Sequence, residues 1–261
     1  MTIRILVHGC AGRMGQAVAA QARQHKPLRI VGGADVVGAG GAPAPRMDPR
    51  PIKDLEDFAQ TDADGVVDFS TPAAAADAAR LCARRGWFFV SGTTGLAPAH
   101  EQALRRAARQ SAILHAGNMS LAVHVMAELV RQAAAQLQRG WDIEIVETHH
   151  RMKRDAPSGT ALLLGAAAAR GRRQTWRGTF MRRGARAPKQ IGLHAVRGGS
   201  LVGRHDVLLA GEGESLRLVH EAQDRSIFAA GALRAAAWLH GKPPGLYQFA
   251  DMLARRPQGA D

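Results

Sequence analysis

Short apolar runs alternate with longer stretches of helical periodicity through the first half of the chain. Residues 3–7 form the first run, and 28–34, 65–69, 88–90 and 112–115 follow. Runs of this length with no polar alternation read as strands buried on both faces. Helical patterns fill the gaps at 14–23, 54–60, 73–85 and 99–109, with Pro72 placed at a first turn. Strand and helix in strict alternation predict a doubly wound parallel sheet. Residues 36–50 break the rhythm, being rich in Gly and Pro without periodicity, and read as a mobile loop.

The second half differs. One long helix is expected over 120–138, with Leu121, Val125, Leu129 and Ala133 on the repeating face that should meet a core. A strand at 142–148 and a helix at 158–171 follow. Residues 175–181, 191–196, 200–209 and 215–221 then read as strands with no long helix between them, which predicts an antiparallel or mixed sheet in an α+β arrangement. Residues 197–200 and 210–214 are plausible hairpin turns. A helix over 225–240 stops at Gly241, and a last short helix lies beyond 245–249.

Composition narrows the class. Hydrophobic residues at 46% and charged ones at 22% suit a soluble enzyme. No apolar run approaches the roughly 20 residues of a membrane span. The chain enters its first strand with no signal-peptide layout, and Cys10 and Cys82 form no disulfide framework or zinc spacing. A cytoplasmic, metal-free protein is expected. The net charge of +13 raises the question of nucleic acid. The arginines, however, are scattered as pairs such as Arg84-Arg85 and Arg182-Arg183, and one Tyr offers little stacking surface. The charge reads as a solvated face that steers anionic substrate and cofactor.

Two stretches carry chemistry. After the first strand comes Gly9-Cys10-Ala11-Gly12-Arg13-Met14-Gly15. The first glycine permits a tight turn, the second lets backbone approach a pyrophosphate, and the third lets helix pack on strand. The second strand ends at Asp35, 20 residues after Gly15, where an acid meets the adenosine ribose hydroxyls. Strand, glycine loop, helix and acid together predict a Rossmann dinucleotide site. The other stretch runs Glu147-Thr148-His149-His150-Arg151-Met152-Lys153-Arg154-Asp155-Ala156-Pro157-Ser158-Gly159-Thr160-Ala161. Pro157 biases Ala156 away from helix, so Ser158, Gly159 and Thr160 sit at a helix mouth whose free N–H groups favour a carboxylate or phosphate. A proton donor, a cation and an anion cradle suit the reduction of a small dicarboxylate.

This run resembles the signature of the dihydrodipicolinate (4-hydroxy-tetrahydrodipicolinate) reductases, without a gap. The resemblance extends over nearly the whole chain, through Gly-Arg-Met-Gly at 12–15, Gly-Thr-Thr-Gly at 92–95, residues 191–199, Val202-Gly203-Arg204-His205 and the tail from Gly245. It implies NAD(P)H-dependent reduction of a dicarboxylate in lysine and diaminopimelate biosynthesis, with His149 as acid/base and Lys153 as second proton donor. His150, Lys153, Gly159 and Thr160 would hold substrate beside Ser158. Gly92, Thr93 and Thr94 would line the nicotinamide side, and Ala116, Gly117, Asn118 and Met119 would close the cofactor half. Residues 1–119 with 226–261 are then the dinucleotide-binding domain, and 120–225 the substrate-binding domain, through whose sheet the family assembles as tetramers. The chain departs from the pattern at Met119, where Phe is usual, at His124, where Asn is usual, and at 181–189, which is shorter and more basic. Val36 stands where members that use the phosphorylated cofactor well commonly carry Arg.

Two other readings compete. Another two-domain dehydrogenase, acting on homoserine or aspartate semialdehyde, would need other signature residues, and the semialdehyde type a catalytic thiol. A cofactor-binding regulator would not need His149, Lys153 and the Ser-Gly-Thr cradle together.

Overall fold

The computed structural model describes residues 2–25, 27–35, 51–52, 56–138, 140–176, 179–180 and 184–253. The chain divides into two compact units, Met1–Met119 with Arg225–Asp261, and Ser120–Asp224. The mobile-loop expectation for 36–50, Val36 included, lies outside the described residues.

The first unit is built on strands β1 (Ile3–His8), β2 (Leu28–Ala34), β3 (Pro51–Ile52), β4 (Gly65–Asp68), β5 (Phe88–Ser91) and β6 (Ala112–His115). Helices α1 (Arg13–Ala22), α2 (Pro72–Arg85) and α3 (Pro98–Ala107) connect them. After the second unit the chain returns as α6 (Ser226–Leu239) and β12 (Gly245–Tyr247). The sheet order is β12-β6-β5-β4-β1-β2-β3, and every pairing is parallel. Helices α2 and α3 pack together, as do α1 and α6. This is the doubly wound Rossmann sheet, and the apolar runs of β1, β4 and β5 are buried as parallel strands require. Thr71 caps α2 by accepting from the Ala74 N–H, Pro72 opens it, and Gly86 closes it in the left-handed region. Strand order reverses between β1 and β4, which puts the crevice for a ligand beyond the carboxyl ends of those two strands.

The second unit holds α4 (Leu121–Gln136), β7 (Asp142–His149), α5 (Gly159–Gly171), β8 (Thr179–Phe180), β9 (Ile191–Arg197), β10 (Gly203–Ala210) and β11 (Ser215–Ala222). Its sheet order is β11-β10-β7-β9-β8, antiparallel at β11-β10-β7 and parallel at β7-β9-β8. The sheet is therefore mixed, and α4 and α5 pack on each other against it. Alternation along β7 sends Ile143 and Ile145 into the core with Leu164, Leu193, Val207 and Leu209.

Three expectations are corrected. Residues 197–200 do not form a hairpin, because β7 lies between β9 and β10 and pairs with both. A Gly-Gly reversal specifies a change of direction, not the neighbouring strand. The turn at 210–214 does join an antiparallel pair, β10 and β11. On α4 the core face is Val123, Met126, Ala127, Val130 and Ala134, while Val125 and Leu129 stand 43% and 45% exposed. The helix is apolar on more than one side, so spacing alone fits two stripes. Of the strand expected at 175–181, the described residues are 175–176, which are not strand, and 179–180, which form β8.

Candidate functional site

In the second unit the core-facing row of β7 changes chemistry as it approaches the strand end. Ile143 and Ile145 are followed on the same face by Glu147 and His149, both buried. The Glu147 carboxylate bonds His149 Nδ1 through one oxygen. It also receives a two-pronged donation from Arg197, at 2.8 Å to each oxygen, and the Ser158 N–H at 3.0 Å. Arg197 lies directly opposite His149 on β9 and also donates to the Asp155 carbonyl at 2.6 Å. Burial alone pushes the Glu147 carboxyl up, but Arg197, His149 and the Ser158 N–H outweigh it and hold it below the usual carboxylate range. Glu147 is thus an anion whose charge is fully engaged.

The sheet register sets further side chains beside this pair. His205 on β10 pairs with Glu147 across the ladder and with His220 on β11. The His149 and His205 rings meet edge to face at 5.2 Å. His205 Nε2 and Ser158 Oγ share a hydrogen bond at 3.1 Å, and the same hydroxyl accepts from Ala161 N–H as the N-cap of α5. Burial drives His205 down from its ordinary 6.5 to about 3, so its ring is neutral. Gly203, beginning β10, lies so close to the His149 ring that a β-carbon there would crowd Nε2.

The chain from His149 to α5 brings the sequence-derived residues together. The Lys153 ammonium pairs with Asp155 at 2.9 Å and lowers the proton affinity of His149, a smaller influence than burial. Helix α5 begins after Ser158, with Gly159 and Thr160 in its first turn and no acidic side chain there. A β-carbon on Gly159 would meet nothing within 4 Å, so an anion has room above those amides. His150 is half-buried at the end of β7. In the described part of the short basic segment, Arg186 binds Asp142 at 2.7 Å and also Glu144.

In the first unit the loops after β1, β4, β5 and β6 form one edge. Gly9, at φ 78°, crosses so close to the Phe69 carbonyl that a side chain would collide with it, and Gly15 lies against Gly9 and Cys10. The turn is therefore a glycine turn by steric necessity. Gly12 is the N-cap of α1 and offers no side-chain cap. Asp35 accepts the Ala11 N–H at 2.7 Å, which fixes its carboxylate on the glycine loop. Arg13 is exposed, Met14 half-buried and Cys10 buried. An uncapped helix start behind two glycines, with a third in its first turn and an acid alongside, fits a dinucleotide. Thr93 is buried beside Gly92, while Thr94 is exposed; His115 bonds the Thr93 carbonyl at 2.8 Å, and Ala116 N–H donates to Ser91 at 3.1 Å. Gly117 is exposed, Asn118 half-buried and Met119 buried.

Several residues escaped the sequence reading. Asp68 is wholly buried and accepts from Ser91 and Thr93 hydroxyls at 2.7 Å each, with His8 Nδ1 at 2.9 Å. It ties together the ends of β1, β4 and β5. Its signal was present, since a carboxylate ending an apolar strand needs partners. Glu147 carried the same signal. Arg197, Gly203 and His205 lay within stretches that carried the resemblance, but nothing local gave their roles, which depend on strand register.

The chain matches the family models "Dihydrodipicolinate reductase, N-terminus" over residues 3–119 and "Dihydrodipicolinate reductase, C-terminus" over 122–253. The 4-hydroxy-tetrahydrodipicolinate reductase of Parvibaculum lavamentivorans is 46% identical over 96% of this chain and 97% of its own. That of Cereibacter sphaeroides is 46% identical over 95% and 97%. A solved structure, the dipicolinate-bound dihydrodipicolinate reductase from Paenisporosarcina sp. TG-14, is 26% identical, with a TM-score of 0.78 over 95% of this chain and 98% of that one. With both halves matched and identity of this order along almost the full length, the chain belongs to the dihydrodipicolinate reductase family.

Proposed function

We propose that this protein reduces 4-hydroxy-tetrahydrodipicolinate to tetrahydrodipicolinate with NADH or NADPH, in lysine and diaminopimelate biosynthesis. The observation that carries this reading is the Glu147–His149 pair next to the open start of α5. Bound nicotinamide cofactor supplies a hydride. The start of α5 at Gly159 and Thr160 receives one substrate carboxylate, Ser158 being engaged with Glu147, His205 and Ala161, and His150 and Lys153 assist in holding the ring. Hydride addition to a ring carbon conjugated with the imine leaves an enamine-like anion that must be protonated. His149 delivers that proton, and Lys153 offsets the developing charge or donates in its place. The conjugated bond that accepts the hydride forms first, when the 4-hydroxyl leaves with a neighbouring ring hydrogen as water; the ring then gains one hydride and one proton. Oxidation of NADH and of NADPH, followed by absorbance with freshly made substrate, tests this. No substrate-dependent oxidation of either cofactor would refute it.

The roles of the units follow. The first holds the dinucleotide on Gly9 to Gly15, with Asp35 at the ribose and the 92–94 and 116–119 loops at the nicotinamide. The second holds substrate. Assembly as a homotetramer through the sheet of the second unit is part of the proposal. On the sheet face away from α4 and α5, Val146, Val196 and Val219 are 36%, 46% and 47% exposed among the charged Arg204, Asp206 and Arg217, a mixed surface that a partner subunit would cover. A stable monomer in light scattering at micromolar concentration would contradict it. The cytoplasm is the compartment this reading implies. No helix among the described residues is long and apolar enough to cross a membrane, and Cys10 and Cys82 are free thiols.

A further inference from the structure

We infer that Arg197 is a positioning residue for the reduction: its grip on Glu147 makes Nε2 the working nitrogen of His149 and tempers how strongly that nitrogen holds its proton. The inference rests on the proposed role of His149.

The geometry argues for it in three steps. Glu147 is fully buried and accepts from Arg197 twice, from Ser158 N–H and from the His149 ring. An ionised carboxylate has no proton to give, so the nitrogen facing it, Nδ1, must be the donor. Neutral His149 therefore carries its hydrogen on Nδ1, and Nε2, beside Gly203, is the atom that gains and loses a proton.

Glu147 alone would make His149 a tenacious proton holder, because a buried carboxylate favours the imidazolium. Arg197 spreads the same negative charge over a second cation. The other groups facing His149 are Lys153 on the turn after β7 and the neutral His205 ring on β10, with His220 one ring further on β11. Burial is the largest influence and disfavours the imidazolium; Glu147 pulls the proton onto His149, and Lys153 and Arg197 oppose it to a smaller extent. The guanidinium is suited to this work because its fork takes both carboxylate oxygens and still reaches the Asp155 carbonyl, which ties the loop bearing Lys153 to the same point.

The test is a side-chain 15N NMR titration of the ligand-free enzyme, with the His149 signals assigned by their loss in His149→Gln. Wild type should show the Nδ1–H form of neutral His149. Arg197→Met should raise the His149 midpoint by about one pH unit, a tenfold gain in proton affinity, and Glu147→Gln should lower it by at least as much. Arg197→Lys, keeping charge and losing the fork, should return most of the wild-type midpoint. A neutral His149 carrying its hydrogen on Nε2 overturns the inference, and so do shifts of the same sign in Arg197→Met and Glu147→Gln. If Arg197→Met does not fold, Arg197→Gln takes its place with the same expected rise, and an unchanged midpoint in either neutral variant overturns the inference. These readings need no substrate, so an enzyme that shows them without turning over the proposed substrate refutes the proposed function and leaves the clamp in place.

Discussion

A β-carbon on Gly203 would stand 2.9 Å from His149 Nε2 and 3.2 Å from Cδ2 of the same ring. The atoms in the way belong to the end of a side chain, so the ring can yield where backbone could not. Gly203→Ala should therefore leave the melting temperature within a few degrees of wild type. It should lower kcat by on the order of tenfold to a hundredfold, the scale for displacing a reacting group by a fraction of an ångström to one ångström. Unchanged kcat in the alanine variant would mean that the ring has no need of this space.

His149 and Lys153 carry the protonation in this account, and their loss should be felt in turnover. His149→Gln and Lys153→Ala are each expected to lower kcat by about 10²-fold or more. Cofactor affinity, read by quenching of NADH fluorescence, should barely change, because neither residue belongs to the unit assigned to the dinucleotide. Near-normal turnover in both variants would remove the assignment.

These two predictions draw on residues of unequal legibility. His149, Lys153 and Ser158 stand within ten positions of each other, so a strand end and one turn suffice to gather them. The same locality made the glycine loop and Asp35 readable, since β1, α1 and β2 follow each other directly. Arg197 and His205 reach Glu147 from 50 and 58 residues away in sequence. Their arrival depends on β9 pairing parallel and β10 antiparallel to β7, and a turn signal at 197–200 pointed to a different pairing. Likewise the sheet selects which apolar stripe of α4 is buried, and periodicity along the helix cannot. Strand β12 is three residues long and pairs with β6 after the whole second unit has intervened, so nothing local announces it.

Stability should fall with acid in a manner traceable to His205. Its ring titrates at about 3 in the folded protein because burial disfavours the cation, whereas an unfolded histidine titrates near 6.5. Between those values the unfolded chain binds the extra proton, so stability rises with pH. This contribution is present above 6.5 and is lost as pH falls toward 3, at up to about 1.4 kcal/mol per pH unit. Glu147, held below the ordinary carboxylate range, acts with the same sign further into acid. Urea denaturation at pH 7, 6, 5 and 4 should show a shallower decline for His205→Gln than for wild type. Parallel declines would mean that His205 is not kept neutral.

The last expectation concerns the cofactor. Asp35 holds its carboxylate on the glycine loop through the Ala11 N–H, at the end of the strand where a dinucleotide's adenosine ribose belongs. A carboxylate there accepts hydrogen bonds from both ribose hydroxyls, and it repels a 2′-phosphate unless a cation stands beside it. Val36, next in sequence, supplies none. Arg13 is exposed at the start of α1 and is the described cation of the loop itself, a partial counterweight that keeps NADPH usable. NADH should therefore serve at least as well as NADPH in the wild type. Val36→Arg should lower KM for NADPH several-fold and leave that for NADH nearly unchanged, while Asp35→Ala should weaken NADH more than NADPH. Steady-state kinetics with both cofactors decide the matter. A strong wild-type preference for NADPH that Val36→Arg does not alter would place the ribose away from Asp35.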